Sequence, residues 1–159
     1  MNLHVPGAGV AERAGEIARS MLGMEGPLLP ILHAVQEEFG YVPEEALPPI
    51  AKALNLSRAE VHGVVTFYHE YRRNPAGRHV LRLCRAEACQ SMGCDAVAEQ
   101  VKQALGVDWH ETSKDGNVTL EPVYCLGLCS CAPAAMLDET LIGRVDLDVI
   151  REELAEAGR

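Results

Sequence analysis

Cys125-Leu126-Gly127-Leu128-Cys129-Ser130-Cys131-Ala132-Pro133, taken with Cys84-Arg85-Ala86-Glu87-Ala88-Cys89 upstream, is the part of the chain whose reading decides what kind of domain it forms. Two thiols with four residues between them are followed, after 35 residues, by two more with three between them. Four thiols spread in this way suit a metal centre better than disulfides. The small residues Gly127, Ala132 and Pro133 of the later stretch let backbone come close to an inserted object, because little side chain covers it. An iron–sulfur site is therefore the expectation from which the rest of the chain is read.

Working outward, 159 residues with 48% hydrophobic and 23% charged side chains describe a folded chain, long enough for one ordinary domain or a compact domain with a small helical partner. A formal charge of −9 argues against a general nucleic-acid binder, which needs Lys and Arg to neutralise phosphates. No apolar run approaches the roughly 20 residues of a membrane helix. The opening Met1-Asn2-Leu3-His4-Val5-Pro6-Gly7 lacks a basic segment followed by an apolar one, so a secretory signal is not expected and a cytoplasmic protein is. In that reducing compartment six cysteines read as ligands before they read as disulfides.

The first 72 residues carry helical periodicity and no reactive constellation. Val10, Ala14, Ile17, Ala18, Met21 and Leu22 form one apolar stripe on a helix over 10–23, stopped by Gly23. A second helix opens near Pro27, turns Leu28, Ile31, Leu32, Val35 and Phe39 inward and closes at Gly40. A third runs from Pro43 or Glu44 to Leu54, and Pro48-Pro49 within it predicts a kink or two short pieces. Ser57-Arg58-Ala59-Glu60 has the capping-box form and predicts a helix running towards His69, with Val61, Val64, Val65 and Tyr68 on its apolar face.

After the turn-rich Arg72-Arg73-Asn74-Pro75-Ala76-Gly77 the pattern changes. Arg78–Cys84 alternates as a strand ending at the first thiol, Ser91–Leu105 reads as a helix, and Asn117–Cys125 reads as a strand delivering the third thiol. Ala134–Leu137 and Leu141–Val145 predict two further strands, and Asp146 caps a last helix carrying Leu147, Val149, Ile150 and Leu154. The β-α-β-β-α order predicts a small sheet with helices packed on it, and both thiol pairs then lie in loops directly after strands.

Four thiols admit more than one metal. Structural zinc also takes four cysteines, although its ribbons use tight C-x₂-C knuckles, and the spacings here are C-x₄-C and C-x₃-C. A thiol–disulfide oxidoreductase needs a C-x-x-C motif, which is absent, and the plant-type ferredoxin spacing does not fit. A Rieske site would need two convergent histidines, and His33, His62, His69 and His79 share no ligand spacing. Ligand geometry favours Cys84, Cys89, Cys125 and Cys129. Cys94 repeats the Cys84–Cys89 interval and competes for the role, Cys131 lies two positions past Cys129, and both are read as structural. Trp109 reads as edge packing and the acidic run from Arg151 to Glu156 as a solvated helix face.

The pattern C-x₄-C, 35 residues, then C-x-G-x-C-x-x-A-P resembles the thioredoxin-like [2Fe-2S] subunits of NAD-linked redox complexes, the family that includes the 24-kDa subunit of complex I. The likeness extends over Leu28–Gln36, Asn55–Tyr68 and Glu121–Cys129. Within the family, Cys84-Arg85-Ala86-Glu87-Ala88-Cys89-Gln90-Ser91-Met92-Gly93 looks like the gamma-type subunit of cytosolic NAD-dependent, molybdenum-containing formate dehydrogenases. The resemblance implies an α/β fold, a thioredoxin-like [2Fe-2S] cluster domain over 77–159 preceded by a small N-terminal helical bundle over 1–76. It carries the four cluster ligands onto Cys84, Cys89, Cys125 and Cys129. It further implies an electron-transfer subunit without substrate chemistry of its own. FMN and NAD would sit on a beta-type flavin partner, and a molybdenum cofactor on an alpha-type subunit. The equivalent carrier of NADH:quinone oxidoreductase or of an NAD-linked hydrogenase, and a zinc-stabilised interaction module, are the alternatives.

Overall fold

The structure is a computed structural model that describes residues 8–158; the opening heptapeptide lies outside them. The described chain divides after Pro75 into two compact units.

The first unit is helical. Helix α1 (Ala8–Ser20) buries Val10, Ala14, Ile17 and Ala18 on one stripe. It ends earlier than its apolar pattern predicts. The Ser20 hydroxyl donates to the Ile17 carbonyl at 2.8 Å, taking an acceptor of the last turn, and the chain leaves through Met21 N–H on the Ala18 carbonyl. Leu22 is consequently exposed. Helix α2 (Leu28–Phe39) buries Ile31, Leu32 and Val35 and closes at Gly40, whose φ of +80° no side chain adopts readily. Pro48-Pro49 splits the next segment. A 3-10 turn over Glu44–Ala46 precedes helix α3 (Leu47–Leu54), which places both prolines in its first turn, where their missing N–H groups have no helical partner to lose.

Helix α4 (Arg58–Phe67) opens on a complete capping box: Ser57 Oγ accepts from Glu60 N–H at 3.2 Å and Glu60 Oε2 accepts from Ser57 N–H at 2.8 Å. The Ser57 N–H, together with the Ser57 hydroxyl donating to the same oxygen at 2.7 Å, stabilises the ionised Glu60 and holds its carboxyl below the usual range. The helix stops at Phe67, short of His69, because Tyr68 takes an extended conformation. Only Val61 and Val65 are fully buried, and Tyr68 is exposed instead of completing the apolar face. The segment after α4 is stitched back onto α2: Gln36 donates to the Glu70 carbonyl and accepts from Arg72 N–H, and the buried Tyr71 donates its hydroxyl to the Leu29 carbonyl.

The second unit is a four-stranded sheet of order β2-β1-β3-β4 with helices α6 and α7 sharing its core. Strand β1 (His79–Cys84) pairs in parallel with β2 (Val118–Val123) and antiparallel with β3 (Ala134–Leu137), which pairs antiparallel with β4 (Thr140–Gly143). A parallel neighbour requires a crossover. Here it is built from a short helix α5 (Glu87–Ser91) and the longer α6 (Cys94–Leu105). The sequence predicts one helix starting at Ser91; the break arises at Gly93, whose φ of +87° ends one element and starts the next. Helix α7 (Leu147–Ala157) is capped by Asp146, which accepts from Val149 N–H at 2.9 Å. Leu81, Leu83, Leu120, Ala135, Val101 and Ile150 are all buried in one cluster of strands and helices.

Both strands that lead to thiols end together, since the register sets Cys84 opposite Val123. Cys125 lies just past the strand expected to contain it, because β2 stops at Val123.

Two substitutions probe these interactions by thermal or denaturant unfolding. Ser57→Ala should cost about 1 kcal/mol through loss of the cap, and Leu120→Ala, at a fully buried site, about 2–5 kcal/mol.

Candidate metal centre

The first ligand loop starts where β1 ends. Cys84 is buried, and the ladder to β2 continues one residue further as Arg85 N–H donates to the Val123 carbonyl at 2.8 Å. The chain then turns into α5, anchored by Gln90 N–H on the Ala86 carbonyl and by the Gln90 side chain on the Arg85 carbonyl. That single turn brings Cys89, also buried, back against Cys84. The sequence predicts a loop between these thiols; the helical turn is what pairs them.

The second loop leaves β2 in an unusual conformation. Cys125 has φ of +84°, a left-handed geometry uncommon for a residue with a side chain, and Gly127 follows at +78°. The turn aims Gly127 N–H at Cys125 Sγ, 3.4 Å away, and sets Cys125 Sγ 3.8 Å from Cys129 Sγ. Cys129 opens a 3-10 turn to Cys131, whose N–H donates to the Leu128 carbonyl at 2.8 Å. Both thiols of this pair are exposed.

The loops meet at the Cys84 sulfur. Burial pushes its pKa up, but N–H groups of Ala86 in its own loop and of Cys125 and Leu126 in the other, with the Cys89 thiol, all favour its ionised form and bring it below the ordinary thiol value. Cys89 is pushed up to about 11 by burial and by sharing its proton with Cys84, against a lowering contribution from Ala134 N–H. Cys129 is raised by its hydrogen bond with Cys125 and by the charges of Cys125 and Cys84.

The four sequence-predicted residues thus stand as two pairs, Cys84 with Cys89 and Cys125 with Cys129, held by two loops that touch. Among the described residues no three His, Cys, Asp or Glu side chains close around a single ion. Two irons, each taking two thiolates, is the donor arrangement of an all-cysteine [2Fe-2S] site, and N–H groups directed at sulfur are what such a site uses to hold negative charge. The donor set fits that group.

Cys94 and Cys131 stand outside the pairs. Cys94 is the first residue of α6, buried beside Cys84 and Cys89, and burial followed by the Asp95 carboxylate pushes its thiol up. Cys131 is half-buried with Ser130 Oγ 3.9 Å from its sulfur. His33 packs on Tyr71 in the helical unit, and His79 Nδ1 meets Asp138 Oδ2 at 2.8 Å. Sequence reasoning missed Arg85. Its guanidinium lies 5.3 Å from the Trp109 ring centre and 3.1 Å from Asp95, with a buried Nε that has no hydrogen-bond partner among the described residues. Trp109 does pack on the core edge, and Lys102 also approaches its ring, at 4.7 Å.

The sequence model of the thioredoxin-like [2Fe-2S] ferredoxins matches residues 14–157. The chain belongs to that family. Membership makes one [2Fe-2S] cluster the cofactor of this thioredoxin-like ferredoxin. Its relatives include the E-type subunit of the NADH-quinone oxidoreductase of Pseudomonas aeruginosa, 39% identical over 123 residues, which span 77% of this chain and 74% of that protein. The HndA subunit of the NADP-reducing hydrogenase of Solidesulfovibrio fructosivorans is 32% identical over 141 residues, 89% of this chain and 82% of the relative. Among solved structures, an NAD⁺-reducing [NiFe]-hydrogenase in the H₂-reduced state shares the fold with a TM-score of 0.67 at 22% identity; the match covers 82% of this ferredoxin and 22% of the hydrogenase chain.

Burial predicts the order of thiol chemistry in the cluster-free protein, since alkylation needs access as well as thiolate. Under limiting iodoacetamide, peptide mass spectrometry should find Cys125 and Cys129 modified before Cys84, Cys89 and Cys94. Early labelling of Cys84 would contradict the buried inner pair.

Proposed function

We propose that this ferredoxin is the single-electron carrier subunit of an NAD-linked oxidoreductase complex, with Cys84, Cys89, Cys125 and Cys129 as its cluster ligands. The observation that carries the reading is the pairing of those four thiols on two loops that meet at the Cys84 sulfur. A bound [2Fe-2S] cluster supplies a one-electron redox couple. The chain's own groups do the rest. Four thiolates would hold it, the N–H groups of Ala86, Leu126, Gly127 and Ala134 at the thiol sulfurs would offset its negative charge, and the buried inner pair would keep water from one side.

The sequence has no G-x-G-x-x-G motif and no phosphate-binding loop motif with which to hold NAD, and hydride transfer is accordingly proposed to belong to a partner. The proposed partner is a beta-type subunit carrying FMN and the NAD site, because a flavin can match a two-electron hydride to one-electron carriers. Each ligand loop exposes one large apolar side chain, Met92 and Tyr124, at 61% and 72%, which suits a face that is covered in a complex. Residues 1–76, helical in their described part, are proposed as docking structure and residues 77–159 as the cluster domain. Among the described residues no helix is long and apolar enough to cross a membrane, in keeping with the cytoplasmic site of action proposed here.

The finer reading is the gamma-type subunit of a cytosolic NAD-dependent formate dehydrogenase, with formate oxidised at the molybdenum cofactor of an alpha-type subunit. What supports it is the likeness of Cys84–Gly93 to that group. The functions of the two relatives support the equivalent carrier of NADH:quinone oxidoreductase or of an NAD-linked hydrogenase equally well.

Replacing each of the six cysteines by Ser should change the electron paramagnetic resonance signal of the reduced protein at four positions and leave it native at Cys94 and Cys131. Loss at Cys94 with retention at Cys89 would reassign the ligand. Raised pKa values at Cys89 and Cys129 mean protons compete with iron well into alkaline solution. Chelator competition should therefore show tighter iron retention on going from about pH 7 to about pH 9. Purification of the tagged full chain from native extract should bring down a flavoprotein. Co-purification of a molybdenum subunit selects formate dehydrogenase, and of quinone-reducing membrane subunits the alternative.

A further inference from the structure

We propose that Gly143 is a positioning residue for the second ligand loop, and that the end of strand β4 sets where Cys129 stands. The inference rests on Cys129 being a ligand, as proposed above.

A methyl group built on Gly143 would lie 2.8 Å from Cys131 Cβ and 3.2 Å from the Cys131 carbonyl oxygen. Carbon atoms in contact prefer roughly 3.5–4.0 Å, so the first distance cannot be kept. Gly143 does not occupy the left-handed region, unlike Gly93 or Gly127. Glycine is therefore needed at 143 for closeness of approach and not for a turn.

The contact belongs to a clamp. Arg144 N–H donates to the Cys131 carbonyl at 2.7 Å, and Val145 N–H donates to the Pro133 carbonyl at 3.0 Å. Val145 is buried in the core of the sheet, which fixes this end of the clamp. Arg144 has φ of +54°, and at this left-handed residue the chain leaves β4. On the other side, Cys131 N–H is tied to Leu128 within the 3-10 turn that begins at Cys129. A push on Cys131 is thus passed to Cys129 and to its 3.8 Å spacing from Cys125.

The same position reaches the first pair. Gly143 faces Ala134 in the β3–β4 register, and the N–H of Ala134 is directed at the Cys89 sulfur. One close backbone contact therefore places groups that serve both ligand loops, although residue 143 lies 12 positions beyond the last cysteine of the sequence.

The test uses the full chain with its cluster and reads the g-values of the reduced protein, its reduction potential and iron loss to a chelator. Gly143→Ala should shift the g-values and the potential and weaken iron retention by roughly 10-fold, the scale of a lost outer-shell support. Cys131→Gly, which removes the Cβ in the way, should keep the native signal. Gly143→Ala with Cys131→Gly should restore the native g-values and retention, and this double variant decides the matter even where Gly143→Ala alone does not fold. Native g-values and potential in Gly143→Ala would overturn the proposal, as would failure of the double variant to restore them. Cys129→Ser separates the two layers. If it keeps a native signal the ligand reading fails; if it alters the signal while Gly143→Ala does not, only the positioning role fails.

Discussion

The constraint on which the site depends is the register of one parallel strand pair. Because Cys84 is opposite Val123, β1 and β2 end level, and the loops that leave them begin side by side. Parallel pairing also forces a crossover, in which α5 brings Cys89 back to the end of the sheet and α6 packs into the sheet's core. Everything at the site follows from this start. One helical turn suffices to fold Cys89 back, one left-handed residue suffices to redirect Cys125, and the N–H groups of the second loop then fall on the sulfur of the first. A slip of the register would put the third thiol at a different height and leave Cys84 without two of its donors.

The electrostatics follow from the same placement. Cys84 and Cys89 are both buried, and burial alone raises thiol pKa values. The two diverge because backbone donors converge on one of them. Cys84 is thus lowered and Cys89 raised, to about 11, whereas the outer pair, exposed to water, is linked through the 3.8 Å approach of its own sulfurs. Apart from the Cys89 thiol, the donors that lower Cys84 are backbone N–H groups, and none is a Lys or Arg side chain. Arg85 points instead to Asp95 and Trp109.

How much of this was legible in the sequence depends on how local the cause is. Gly40, the Ser57–Glu60 box and Asp146 act within one turn of themselves, and each stands where its residue type predicts. Pro48-Pro49 announced a break and the break is there. The strand positions were readable from alternation, and the two thiol pairs that the structure brings together are the ones that spacing and family likeness single out. The early end of α1 turned on a serine hydroxyl competing for a carbonyl, and the missing face at Tyr68 on an extended residue that periodicity does not register. The division at Gly93 was written as a glycine but needed the crossover to give it meaning. Least legible were the donors to sulfur, which are backbone groups and carry no residue code, and the demand for glycine at 143, which comes from a turn distant in sequence.

The unequal burial of the two thiol pairs gives the site a back and a front. Cys84 and Cys89 are walled in by Ala132, Ala134 and Cys94, whereas Cys125 and Cys129 lie at the surface. On the ligand assignment proposed here, a bound cluster would be covered by protein on the side of the inner pair and open to solvent on the side of the outer pair. The fold would then act as insulation on one side and as an open terminal on the other. On the proposed reading, a partner docked over the exposed pair would stand nearer to the carrier's redox centre than one docked elsewhere on the molecule.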